Sequence, residues 1–70
     1  MGELVMKAAR ELGIDAHVLV KEDEFVNPLV TVAYPPKAVQ SRIPATLFME
    51  EDLVKVKVIL SDMAKRAQRR

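Results

Sequence analysis

The chain has 70 residues, eleven Lys and Arg against ten Asp and Glu for a net charge of +1, and no cysteine. That length makes one small domain, 1–70, with no room for a second. The missing thiols exclude disulfides and thiolate metal sites, and a lone histidine, His17, argues against a His-based zinc site within one chain.

A chain this short buries only about 60% of its unfolded surface, so its stability must come from tight packing or from a second subunit. Half of the residues are hydrophobic, yet the aromatics are only Phe25, Tyr34 and Phe48. So much aliphatic surface on so small a chain points to a homodimer. Lys, Arg and Glu are frequent, while Asn27, Gln40 and Gln68 are the only amide side chains. That composition is the one associated with heat-adapted proteins. No apolar run approaches the ~18 residues that cross a bilayer. The start, MGELVMKAAR, interleaves Glu3, Lys7 and Arg10 with its apolar residues and does not read as a signal peptide. A cytoplasmic protein with no membrane partner is the expectation. The charge is also sorted: residues 1–64 carry ten acids and seven bases, a net −3, and residues 65–70 carry four bases and no acid.

The spacing predicts a helix over 3–12, because Val5, Ala8, Ala9 and Leu12 recur at i, i+3, i+4, i+7. Glu3, Lys7 and Glu11 stand four apart with alternating sign on its outer face. Gly13 follows at once and suits the left-handed residue that closes a helix. Residues 16–21 read as a strand with Ala16, Val18 and Val20 on one face and His17, Leu19 and Lys21 on the other. Residues 29–34 read as a second strand, with Val30, Val32 and Tyr34 sharing a face. The short loop between the two favours an antiparallel hairpin, since a parallel crossover needs a dozen or more residues. Both strands carry apolar residues on each face. The ribbon therefore expects helices on one side and another cover, such as a partner, on the second.

Pro35-Pro36 ends the second strand, and residues 37–42 read as a turn or a short helical piece. Pro44 suits the first position of a helix. From Glu50 to Arg70 two periods compete. Val54, Val56, Val58 and Leu60 alternate as a strand would. On a helix, Leu53, Val56, Ile59, Leu60, Met63, Ala64 and Ala67 fall within one arc, and Met49 joins it by backward extension. Glu50, Glu51 and Asp52 then lie in the first turns and Lys65, Arg66, Arg69 and Arg70 at the end, which complements the helix dipole. The helical period also outlasts the alternating one, so a long C-terminal helix is the reading. It leaves Val54 and Val58 outside the stripe on a face of their own.

The expected fold class is α+β in the order α-β-β-α, an antiparallel hairpin packed by two helices. The alternative puts an additional strand at 53–60, paired with 45–49, before a short helix from Ser61.

Chemistry is sparse. The acidic triplets Glu22-Asp23-Glu24 and Glu50-Glu51-Asp52 lack the ligand spacing and turn glycine of a calcium loop. His17 lies on a strand among apolar neighbours, and neither Ser41 nor Ser61 stands in a nucleophile-elbow context. With only Gly2 and Gly13, there is no glycine-rich loop to cradle phosphate. No catalytic residue, cofactor or metal is expected. Tyr34-Pro35-Pro36 lacks the spacing of a polyproline docking motif and reads as a strand-ending turn.

The function expected is that of a small non-catalytic oligomerising or assembly protein. Leu53, Val54, Val56, Val58, Leu60, Met63 and Ala67 would make its interface, most simply with a second copy. One alternative is a nucleic-acid-binding regulator that grips phosphates with Lys65, Arg66, Arg69 and Arg70. Another is an accessory subunit of an enzyme.

Overall fold

The computed structural model describes residues 2–68 of the chain. Its elements run α1 (Gly2–Leu12), β1 (His17–Lys21), β2 (Leu29–Tyr34), β3 (Lys37–Arg42), α2 (Ala45–Met49) and α3 (Leu53–Gln68). The fold is α+β, as the patterning predicts, with one strand and one short helix more than the sequence reading supplied.

α1 forms where its apolar stripe is expected, and Val5, Ala8 and Ala9 are buried beneath it. Gly13 ends it at φ +68°. The Gly13 N–H donates to the Arg10 carbonyl at 3.1 Å and the Ile14 N–H to the Ala9 carbonyl at 3.0 Å. These two bonds make a Schellman motif, which satisfies carbonyls that the helix end would otherwise leave open.

The strands pair antiparallel in the order β1-β2-β3. Leu19 lies opposite Thr31 and Val18 opposite Val32, while across the other seam Thr31 faces Gln40 and Val32 faces Val39. β3 replaces the turn or helical piece expected at 37–42. Pro35-Pro36, joined by a cis peptide, is not only a stop but also the two-residue turn that folds the chain back along β2. KAVQSR has little strand propensity of its own. Its residues are exposed or half-buried, and β2 supplies its backbone partners.

Pro44 stands at the N-cap of α2, one position before the place expected for it. It has no side-chain donor or acceptor to offer there. Asn27, from the β1–β2 loop, supplies one instead, its Oδ1 accepting the Ala45 N–H at 2.9 Å. α2 ends at Met49, and Glu50, Glu51 and Asp52 make the turn into α3 rather than its first helical turns. Glu51 takes a left-handed φ of 50°. Asp52 caps α3, its Oδ1 accepting the Lys55 N–H at 3.2 Å.

Both long helices cover the same face of the sheet, α1 over β1 and α3 over β2 and β3. Val5, Ala8, Val30, Val32, Ile43, Val56 and Leu60 are fully enclosed between the layers. The thinnest dimension, 15 Å against 34 and 26 Å, is that of two layers. The second face of the sheet has no helix on it. It presents Leu19, Lys21, Leu29, Thr31, Ala33 and Gln40, among others, in rows across the three strands. Among the described residues no helix is long and apolar enough to cross a membrane.

Candidate interaction surface

The predicted interface residues separate into two sets. Val56, Leu60, Met63 and Ala67 are buried in the chain's own core, and Leu53 packs against its edge. The sheet and α1 already cover this stripe, so it has no area to offer a second subunit. That corrects the expected interface at the four buried positions, while Leu53 is only partly covered. The physical reason is that a single amphipathic stripe saturates on the nearest apolar layer, which is the hairpin of the same chain. Met49 is corrected too: it ends α2, outside α3, and is exposed.

Val54 and Val58 remain. They are 72% and 65% exposed, four residues apart on the solvent side of α3. Beside Val58 runs an open cleft of about 400 Å³, lined by Leu12, Lys57, Val58, Ser61, Asp62 and Lys65. Its charges are largely matched. Lys57 Nζ lies 2.6 Å from Glu11 Oε1, tying α3 to α1. This bond, rather than one to Lys7 on the same helix, holds Glu11 below the usual carboxylate range. Arg66 pairs with Asp62 at 3.0 Å, and Lys55 with Asp52 at 3.7 Å. The cleft thus has an apolar centre with ion pairs at its margin.

Of the residues considered for nucleic acid, Lys65 and Arg66 lie exposed in the last turns of α3. Arg66 already faces a carboxylate, and Arg69 and Arg70 lie outside the described residues.

A second cluster joins the β1–β2 loop to β3. Arg42 donates to both carboxylate oxygens of Asp23, at 3.2 and 2.8 Å, and to the Asn27 carbonyl at 2.7 Å. The Phe25 ring stacks 4.4 Å from the centre of the same guanidinium. Asp23 also accepts the Phe25 N–H at 3.0 Å. The Arg42 bonds lower the Asp23 pKa first and the Phe25 amide second, and the carboxylate in turn raises that of Arg42. The triplet that includes Asp23 is thus part of a loop clamp. No group of acids and histidine suited to a metal ion occurs among the described residues. Sequence reasoning missed this clamp because its partners stand 15 to 19 residues apart and belong to a strand not foreseen.

His17 lies opposite Ala33 on the open face of the sheet, and Ser41 lies opposite Val30 on the helix-covered face. The sheet itself separates them, so they make no nucleophile–base pair. Comparison with protein families, curated proteins and solved structures finds no match for the chain.

Proposed function

We propose that the chain is a small non-catalytic interaction protein that works as an oligomer and makes its contacts through apolar surface its own fold leaves uncovered. One observation carries this reading. Leu19, Val54 and Val58 are each about two-thirds exposed or more, on elements whose opposite sides pack against the core. A single exposed aliphatic residue means little. Here three occupy regular elements of a chain too short for a large core. The remaining polar groups support the same reading, since the ion pairs at α3 and at the loop clamp hold the fold's own elements together.

The test is the mass in solution. Light scattering should give a value above the 7.9 kDa of the chain, rising with concentration. A monodisperse species of 7.9 kDa at concentrations on the order of 100 μM, where even small interfaces form, overturns the proposal.

A further inference from the structure

We infer that the second copy joins along the free edge of β1, antiparallel, so that two three-stranded sheets become one of six strands with a twofold axis at Leu19. This rests on the oligomeric reading above and names the surface it uses.

Four observations carry it. First, among the described residues β1 pairs only with β2 and packs against α1, so the backbone donors and acceptors of its outer edge lie outside the sheet's ladder. The groups that complement such an edge are those of another strand. Second, the devices that normally guard an edge are missing from its centre. HVLVK has no proline, and its one formal charge, Lys21, is at the end.

Third, the strand is self-complementary in one register. With Leu19 on the axis, Val18 meets the second copy's Val20 and His17 meets its Lys21. The two Leu19 side chains, each 67% exposed in the single chain, then cover one another. The two lysines stand at opposite ends of the seam, whereas a parallel in-register pair would set them side by side. Residues of like parity face each other, so all helices stay on one side of the joined sheet. β3, the other edge, is more polar, and centring it on Val39 sets exposed Ala38 against exposed Gln40.

Fourth, the helix above this edge carries one exposed apolar side chain, Met6, on the flank away from α3. Leu4 shares a cleft with Leu53, and Glu11 bonds Lys57, so these mark the side of α1 that faces α3. Met6 lies two residues from Leu4, roughly 200° around the helix, on the flank over the β1 edge. It is 46% exposed there, between half-buried Gly2 on the core side and exposed Arg10 on the outer side. The twofold axis brings two such flanks together above the strand seam. The contact is at the small end for specific interfaces, so the dimer is concentration-dependent. Val54 and Val58 lie on α3, on the far side of α1 from the axis, and take no part in this contact.

The chain has no cysteine, so single-cysteine variants report proximity without background. Leu19→Cys should oxidise to a covalent dimer at protein concentrations that leave Val58→Cys monomeric. A residue on the axis faces its own copy at about the 3.5–4.5 Å Cβ separation a disulfide needs, or slightly beyond it. Leu19→Lys should lower the mass to that of one chain while its circular dichroism stays that of the parent. Preferential cross-linking at Val58, or equal rates at both positions, overturns the β1 edge but leaves the oligomeric reading standing. A 7.9 kDa mass for the parent chain overturns both.

Discussion

Among the described residues two take left-handed backbone, and they should respond to substitution in opposite directions. Gly13 has φ +68° and a Cβ there would meet nothing within 4 Å, so Gly13→Ala carries only the conformational penalty, about 1 kcal/mol. Glu51 holds φ 50° with a full side chain, so Glu51→Gly should relieve a penalty of similar size. Urea titrations of the two variants read both signs. A second contrast runs along α3. Leu60 is fully buried, and Leu60→Ala should cost about 2–5 kcal/mol. Val58→Ala, at an exposed site, should stay within about 0.5 kcal/mol in the single chain. The same burial means that a charge at Leu60 unfolds the chain and says nothing about an interface.

The titration of Glu11 and Asp23 is likewise set by single contacts. Both have folded-state pKa values below their ordinary ones, Glu11 chiefly through Lys57 and Asp23 chiefly through Arg42. A lowered carboxylate pKa adds stability that is present above the unfolded value and lost as pH falls through the folded one. Stability should therefore decline on acidification below the ordinary carboxylate values of about 4.5 for Glu and 3.8 for Asp. Denaturant midpoints measured down the pH scale should show the decline reduced in Glu11→Gln.

At the scale of elements, α3 shows how caps and packing decide a segment with two periods. Val54 to Leu60 alternates well enough to be a strand, yet a strand there would place only one side of the segment on the core and would leave Met63, Ala64 and Ala67 outside its period. The helix buries Val56, Leu60, Met63, Ala64 and Ala67 together. Asp52 starts it, and Asp52→Ala should cost about 0.5–2 kcal/mol by exposing helix-start N–H groups. Thermal melts followed at the helical circular-dichroism band check this value. β3 is the converse case. Its sequence carries no strand period that stands out, and it exists because a two-residue turn lays it against β2. Single-chain patterning does not see such an edge strand, since its stabilising groups are the backbone of its neighbour.

For the whole molecule, the sorted charge of the sequence becomes less informative once folded. The basic end begins in the last turns of α3, where Arg66 already faces Asp62. Self-association through an apolar, hydrogen-bonded edge should be nearly insensitive to salt, because screening acts on exposed charges. It should also survive removal of residues 65–70. Sedimentation across salt concentrations, with and without those residues, tests both statements. A mass that falls steeply with salt assigns assembly to the charged end instead.

The amino-acid order by itself determined the elements whose signals are local. α1 follows from its stripe and from Gly13, β1 and β2 from their alternation, and the length of α3 from a period sustained across fifteen residues. These are short-range effects, each contained within a few turns or one hairpin. Only the tertiary structure decided which apolar residues are covered. It enclosed Val56, Leu60, Met63 and Ala67 within the chain, left Leu19, Val54 and Val58 outside, and joined Asp23 to Arg42 through a strand that the sequence does not announce. Cover is a property of what lies opposite, and what lies opposite is set by how the layers meet.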